Sequence, residues 1–213
     1  MRSGWFLLSF LLSTFAGSYV PVQEETCKLR KDKDDIKVYA CHTDTSLLKS
    51  IRAEVLIKDI SIKELKDYLM DIENYVTWQY RLEEAQVLEQ VNNSEVVMRT
   101  VVDAPWPVNN REVLTRMTAK TNAASTELMV EGLVIPYDFP EEEGLVRVPF
   151  SRSSWFVEQV NGNDLKVAYS LSVDPGGSLP AWLVNLAVAE GPYESFRNLK
   201  KQLSQNNRDK SGQ

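Results

Sequence analysis

The chain has 213 residues, of which 43% are hydrophobic and 25% are charged, a composition typical of a globular protein with one substantial core. Its 30 acidic and 24 basic residues give a formal net charge of −6, which argues against a nucleic-acid ligand and against capture by an anionic membrane surface. The single histidine, His42, excludes a metal site built from several histidines. We therefore expect no metal, no cofactor and no catalytic residue.

The first 18 residues have the features of a secretory signal peptide. Arg2 precedes an apolar run at residues 5–15, and residues 16–18 supply small side chains for cleavage. The run is too short to cross a bilayer. We therefore expect residues 1–18 to be removed and the protein to be periplasmic or secreted, with a membrane anchor or a buried N-terminal helix as the alternatives.

The only two cysteines of the chain follow this segment. Residues 28–32 and 36–40 read as two short strands around a turn at Asp34, and a pairing centred on Asp34 places Cys27 opposite Cys41. A disulfide fits that separation and would persist in an oxidising compartment. The alternative is a pair of reduced thiols in a cytosolic protein.

A helix is predicted next, over residues 59–77. Ser61 and Glu64 have the spacing of a capping box. Apolar residues then recur at intervals of three and four along one face, namely Ile62, Leu65, Leu69, Ile72 and Val76. Strand-like runs separated by turn signals follow at 81–90, 94–103, 111–120, 125–135, 144–150, 153–160 and 164–173.

The last predicted element is a long helix over residues 179–205. Apolar residues advance along it by three or four positions from Trp182 to Leu203, and Gly191-Pro192 should kink it. An antiparallel sheet must cover its apolar face, and this helix can do so while leaving an apolar tunnel. The sequence thus predicts an α+β fold, with residues 207–213 as a disordered tail.

Five segments of the chain carry a family resemblance through their order and spacing. They are Leu29-Arg30-Lys31-Asp32-Lys33-Asp34-Asp35-Ile36-Lys37-Val38-Tyr39; Trp78 after a helix; Ala104-Pro105-Trp106-Pro107-Val108-Asn109-Asn110-Arg111-Glu112; Gly144-Leu145-Val146-Arg147 followed by Trp155; and Asp174-Pro175-Gly176-Gly177-Ser178-Leu179-Pro180-Ala181-Trp182-Leu183-Val184-Asn185. Together they resemble the START domain, the lipid-transfer domain related to steroidogenic acute regulatory protein. The likeness covers about residues 26–204 and is greatest to small exported bacterial members.

The resemblance implies a helix-grip fold, in which a curved antiparallel sheet wraps around the C-terminal helix and encloses a hydrophobic tunnel. On this basis residues 19–206 form a START-like domain that binds and transfers a lipid or another hydrophobic small molecule without catalysis. The C-terminal helix and the loop 135–144 would gate the tunnel. The protein would act as a monomer that contacts membranes transiently and binds no nucleic acid.

The chain departs from this pattern at its N-terminus and inside the tunnel. The helix that usually precedes the first strand is missing or residual, and Cys27 stands where the family often has Trp. The buried acid and arginine of sterol-carrying members correspond to Met98 and Met117, which would give a soft apolar lining. That difference weakens any assignment to a steroid carrier.

Ligand contact is predicted for ten residues: Met98, Thr100, Met117, Arg147, Trp155, Tyr169, Leu171, Trp182, Leu186 and Ala189. Several of them have a purely structural alternative. The methionines could fill a core, Trp78, Trp106, Trp155 and Trp182 are more often core residues, and Arg147 could pair with Glu131 or Glu112. We also expect Arg111 and Glu112 to form a structural pair beside the Pro-Trp-Pro loop.

Two other functions stay open on the sequence. The first is an enzyme of cyclase or hydrolase type on the same fold, for which Tyr169, Arg147 and Glu131 are the available polar residues. The second is an envelope accessory protein whose interior is only a packed core. Convergence of the three polar residues in a cavity would favour the enzyme, and a filled interior would favour the accessory protein.

Overall fold

The computed structural model describes residues 26–42 and 49–211. Within those ranges only the backbone is described for residues 42, 49, 181, 182, 185–187, 189 and 207–211. The predicted signal peptide at residues 1–18 lies outside the described residues. Among the helices of the described ranges, none combines the length and the apolar composition needed to cross a membrane.

The described chain forms ten strands, two α-helices and one 3-10 helix, which confirms the α+β class. In chain order they are β1 (Thr26–Lys33), β2 (Ile36–His42), β3 (Lys49–Ile57), α1 (Ile62–Met70), the 3-10 helix (Ile72–Thr77), β4 (Leu82–Asn92), β5 (Glu95–Val102), β6 (Asn110–Thr121), β7 (Glu127–Val134), β8 (Leu145–Arg147), β9 (Phe150–Gln159), β10 (Leu165–Asp174) and α2 (Ala181–Ser211).

Nine strands form one open antiparallel sheet in the order β1-β2-β3-β10-β9-β7-β6-β5-β4. The short β8 lies off this path and pairs with β6 in parallel, so the antiparallel prediction for residues 144–150 was wrong. The reason is that β7 pairs only with residues 115–121 of β6. On the side of β6 that faces away from β5, the backbone groups of Asn110 to Glu112 therefore have no hydrogen-bond partner in β7. The strand β8 pairs with these residues instead.

The strand pair β1–β2 carries the predicted disulfide. Cys27 lies opposite Cys41, and their sulfur atoms are bonded at 2.03 Å. Asp34 and Asp35 both have positive φ, at 57° and 58°, as a two-residue hairpin turn requires. The pairing shifts by one residue between Leu29 and Lys31. The predicted pairing is therefore correct in the half of the hairpin that holds the cysteines, and it is off by one residue in the half next to the turn.

The strand β3 was absent from the sequence interpretation. It pairs with β2 on one side and with β10 on the other, so it joins the N-terminal hairpin to the rest of the sheet. Its side chains alternate between buried and exposed, with Ile51, Ala53, Val55 and Ile57 at most 5% exposed.

The predicted helix over residues 59–77 is two helices. The capping box is confirmed, because the Glu64 N–H donates to Ser61 Oγ and the Ser61 N–H donates to a Glu64 carboxylate oxygen. The break is at Asp71, whose ψ of 82° is not helical. The following 3-10 turns have a shorter period, so Val76 leaves the apolar stripe and is 43% exposed.

Helix α2 runs without interruption past Pro192, and its second half is anchored to the rest of the molecule. Four of its apolar side chains are at most 3% exposed: Tyr193, Phe196, Leu199 and Leu203. The hydroxyl of Tyr193 donates to the Asp34 carboxylate at 2.6 Å, and Lys200 Nζ donates to the Asp34 carbonyl at 2.6 Å. The helix reaches Ser211, five residues into the segment predicted to be a disordered tail.

Candidate ligand-binding site

A cavity of about 420 Å³ lies between the inward face of the sheet and the first half of α2. This volume is within the range of small-molecule sites. The helix contributes Leu183, Val184 and Val188, and β3, β5, β6, β7, β9 and β10 contribute the facing wall. The predicted interior space is therefore present, and the side chains that the structure describes do not fill it as a fully packed core would.

Aromatic rings line the inner end of the cavity. Trp155 is central, with ring centroids 6.3 Å from Trp78, 5.2 Å from Tyr169 and 5.0 Å from Phe196. Burial raises the pKa of the Tyr75 and Tyr169 hydroxyls, so both phenols are neutral at physiological pH. The Trp78 indole N–H has no hydrogen-bond partner among the described residues. This end of the cavity is thus aromatic and uncharged, and its polar groups are the Trp78 indole N–H and the tyrosine hydroxyls.

The middle of the cavity is lined by both predicted methionines. Met98 is 8% exposed and Met117 is 5% exposed. The Tyr75 hydroxyl donates to the Leu69 carbonyl at 2.5 Å and lies 3.3 Å from Met117 Sδ. Neither methionine can form an ion pair with a ligand, as the sequence indicated.

The charged members of the described lining are Arg81, Asp103 and Arg111. The side chains of Arg81 and Asp103 pair with each other and are 32% and 33% exposed, so we call the part of the lining formed by these three residues the mouth of the cavity. Arg111 is 8% exposed and donates to the carbonyls of Asn109, Pro175 and Gly176. Burial lowers its pKa. Arg111 therefore ties the start of β6 to the turn that leads into α2.

Trp106 is at the tip of the loop that borders this mouth. Ala104 and Pro105 line the cavity, whereas Trp106 is 90% exposed. The expectation that Trp106 is a core residue was wrong, because the loop between β5 and β6 carries the ring away from the sheet. Trp78, by contrast, is 2% exposed, which confirms the prediction that it is a core residue.

Six of the ten predicted ligand-contact residues line the cavity. They are Met98, Thr100, Met117, Trp155, Tyr169 and Leu171. The side chains of Trp182, Leu186 and Ala189 are outside the described ones. Other residues of the same half of α2 do border the cavity. Contact with a ligand stays a prediction for all nine.

Arg147 requires a correction, because it lies away from the cavity. Its Nε donates to Glu112 Oε2 at 2.7 Å, and its other nitrogens donate to the carbonyls of Phe139 and Pro140 at 3.0 Å. Glu112 also accepts from Arg99 Nε at 2.6 Å and is 1% exposed. The structural alternative, an ion pair with Glu112, is therefore the one observed.

Glu112 is the centre of a buried ion-pair cluster on the outer face of the sheet. Burial opposes its ionisation, but the hydrogen bonds from Arg99 and Arg147 outweigh it and hold the pKa of Glu112 below its usual value. Arg111 and Glu112 do not pair with each other as expected, since consecutive residues of a strand point to opposite faces. Arg111 therefore faces the mouth and Glu112 the outer cluster.

The loop 135–144 belongs to this outer cluster and not to the cavity. Arg99 Nη2 donates to the Glu142 carboxylate at 2.8 Å, and the Arg99 guanidinium lies 5.4 Å from the Phe139 ring. None of residues 135–144, all of which are described, lines the cavity. The geometry does not support this loop as the gate, and the connecting segments that do border the cavity include 79–81 and 103–105.

The three polar residues considered for catalysis do not converge. Tyr169 lines the cavity, but Arg147 binds Glu112, and Glu131 pairs with Arg152 at 3.2 Å outside it. Among the residues that the structure describes, no group of His, Cys, Asp and Glu is placed to hold a metal ion.

Several lining residues were not among the predicted ligand contacts. Thr115, whose position in the strand already indicated an inward side chain, is on the same strand face as Met117, and Ser153 is on the same face as Trp155. Alternation along each strand was therefore sufficient to find them. Leu183 and Val188 lie on the first half of α2, where the sequence from Pro180 to Ala189 is apolar on nearly every side.

Comparisons with known proteins agree with this architecture. The START domain family model matches residues 22–209. An uncharacterised protein of Pseudomonas aeruginosa is 30% identical over 182 residues, which are 83% of this chain and 86% of that protein. The phosphatidylcholine transfer protein of Mus musculus is 24% identical over 178 residues, which are 82% of each chain.

A solved structure has the same fold. The crystal structure of a STAR-related lipid transfer protein from Xanthomonas axonopodis superposes with a TM-score of 0.74 and 28% sequence identity. The match covers 84% of this chain and 98% of that one. With an open antiparallel sheet, a C-terminal helix across it and a family match over most of its length, the chain belongs to the START domain family.

Proposed function

We propose that the protein binds a hydrophobic lipid in the 420 Å³ cavity and carries it without covalent chemistry. The observation that carries this proposal is an apolar cavity between the sheet and α2 in a member of a family whose named relatives include a phosphatidylcholine transfer protein. Each methylene group buried there contributes about 0.8 kcal/mol. A long acyl chain would therefore bind with few polar contacts.

Opening of the cavity would involve the first half of α2 and the loop 103–109. Leu183 and Val188 line the cavity from the helix, whereas Leu199 and Leu203 in the second half are fixed in the core. Gly191-Pro192 marks the boundary between the two halves, and Pro192 cannot donate a helical hydrogen bond there. The first half could thus separate from the sheet while the second half stays anchored.

Transient membrane contact would occur at the same mouth. Trp106 is 90% exposed beside the lining residue Pro105, and tryptophan rings favour the membrane–water interface. The net charge of −6 disfavours strong attraction to anionic headgroups. A brief contact with a neutral or zwitterionic bilayer fits both features.

The protein would act as an exported monomer. One chain supplies both the sheet wall and the helix cover of the cavity, so lipid binding requires no second subunit. The Cys27–Cys41 disulfide supports a periplasmic or secreted location, because such bonds persist in oxidising compartments.

Lipid uptake from vesicles tests the proposal. The purified protein is incubated with vesicles that contain isotopically labelled lipids, separated from them, and analysed for bound lipid by mass spectrometry. The variant Val113→Trp places a bulky ring on the cavity wall, and Arg116→Trp places the same ring on the exposed outer face of the same strand.

We expect about one lipid per molecule for the wild-type protein and for Arg116→Trp, and strongly reduced uptake for Val113→Trp. The recovered lipid should have an unchanged mass. Failure of the wild-type protein to take up any lipid class would refute the binding proposal. Conversion of the lipid to a product of different mass would refute its non-enzymatic character.

A further inference from the structure

Hydroxyl groups interrupt the apolar wall of the cavity. Thr100, Thr115 and Ser153 line it, and Thr100 and Thr115 are only 7% and 9% exposed. Among the described side chains and backbone groups, none forms a hydrogen bond with any of these three hydroxyls. Because they face the cavity, the hydroxyls offer donors and acceptors to whatever occupies it.

Two of these hydroxyl residues flank a notch in the wall at Gly132. Ser153 pairs with Gly132 across β7 and β9, and Thr115 comes from the neighbouring strand β6. A Cβ atom at residue 132 would lie 2.6 Å from Ser153 Oγ and 3.3 Å from Thr115 Cγ2. The Ser153 hydroxyl therefore occupies the space that a side chain at residue 132 would need, and the glycine allows Ser153 Oγ and the Thr115 side chain to lie close to β7.

The surroundings of this notch carry no ionised group. The charged residues of the described lining are Arg81, Asp103 and Arg111, and all three are at the mouth. Met117, on the other side of Gly132 in the same cross-strand row, is apolar. An ionised ligand group at this depth would lose its hydration without gaining a counter-ion, whereas an uncharged oxygen could form hydrogen bonds.

We propose that Thr115 and Ser153, with the notch at Gly132, form a hydrogen-bonding subsite for an uncharged oxygen-bearing group of the bound lipid. A hydroxyl group or the carbonyl of an ester or amide has this chemistry. The inference rests on the proposed lipid-binding function and deepens it. It assigns a neutral polar group to the inside of the cavity and any charged headgroup to the mouth.

Competition binding with three ligands of equal chain length tests the subsite. Hexadecane, 1-hexadecanol and methyl palmitate each compete with a fluorescent lipid probe bound to the full protein. The variants Thr115→Val and Ser153→Ala each remove a hydroxyl, Gly132→Ala fills the notch, and Thr118→Val is the control on the opposite face of β6. Thermal unfolding is recorded for each variant to verify that it is folded.

The wild-type protein should bind the alcohol and the ester at least fivefold more tightly than the alkane. Thr115→Val and Ser153→Ala should each reduce that preference about threefold to tenfold, the effect of one neutral hydrogen bond. Gly132→Ala should reduce it as well, and Thr118→Val should leave it unchanged. The two hydroxyl variants change residues on different strands. If one of them fails to fold, the other still tests the subsite.

Equal affinity for all three ligands in the wild-type protein would overturn the subsite while leaving lipid binding intact. An unchanged preference in both Thr115→Val and Ser153→Ala would do the same. If no ligand displaces the probe and the cavity-filling Val113→Trp variant binds the probe as well as the wild-type protein does, the proposed function itself fails.

Discussion

Replacing Glu112 with glutamine should destabilise the protein by about 3 kcal/mol. Glu112 is 1% exposed and shares its two carboxylate oxygens between Arg99 and Arg147, at 2.6 and 2.7 Å. Removing one partner of a buried ion pair costs about 3–5 kcal/mol, because the remaining charge stays desolvated. We expect the lower end of this range, since the Arg147 side chain is 27% exposed and Arg99 keeps Glu84 and Glu142.

Urea denaturation at pH 7 measures this effect. The matched control is Glu131→Gln, which breaks the Arg152–Glu131 pair, whose side chains are 60% and 34% exposed. An exposed pair contributes at most about 1 kcal/mol. The reasoning would be refuted if Glu112→Gln differed from the wild-type protein by less than about 1 kcal/mol, or if the two variants were equally destabilised.

The contribution of Glu112 should also depend on pH. Its pKa is lower in the folded protein than in the unfolded chain, because the two arginines stabilise the carboxylate. The stabilisation is therefore fully present above the unfolded pKa of about 4.3 and is lost as the pH falls through the folded pKa. The stability difference between wild type and Glu112→Gln should be constant from pH 6 to 8 and should shrink on acidification below about pH 4.

Two further predictions concern the disulfide and the anchored half of α2. Substituting both Cys27 and Cys41 by serine should lower the free energy of unfolding by up to about 3 kcal/mol, and a reducing agent should then have no effect on the variant while destabilising the wild type. Leu199→Ala should cost about 2–5 kcal/mol in urea denaturation, because the side chain is fully buried. The exposed neighbour Lys201→Ala should change the stability by less than about 0.5 kcal/mol, and equal effects at the two positions would contradict the placement of α2.

Local signals in the sequence were sufficient for much of the fold. The Ser61–Glu64 capping box, the Cys27–Cys41 pairing and the second half of the apolar stripe of α2, from Tyr193 to Leu203, each depend on residues close together in the chain, and each is observed. The strand β3 also has such a signal, the alternation of residues 51 to 57, which the interpretation passed over.

Features that depend on distant residues were predicted less well. The sequence offered Glu131 and Glu112 as partners of Arg147 but could not choose between them. The observed pairing with Glu112 joins residues 35 positions apart and requires the parallel contact of β8 with β6, for which no local pattern exists. The same contact fixes the loop 135–144 on the outer face, where the sequence had suggested a gate. The exposure of Trp106 likewise depends on how far its loop projects beyond the sheet.

The inward-facing residues of the cavity were predictable from strand alternation, but their roles were not. Thr115 and Ser153 are ordinary strand residues, and only the cross-strand register places them on either side of Gly132. Register depends on the pairing of whole strands, so it cannot be determined from one segment alone.

Native mass spectrometry of the protein, purified gently from its own source, would detect a bound lipid directly. We expect a population whose mass exceeds that of the polypeptide by one lipid, which is released intact on collisional activation and is absent from Val113→Trp. A polypeptide that is always free of lipid, and whose melting temperature no added lipid raises, would contradict it.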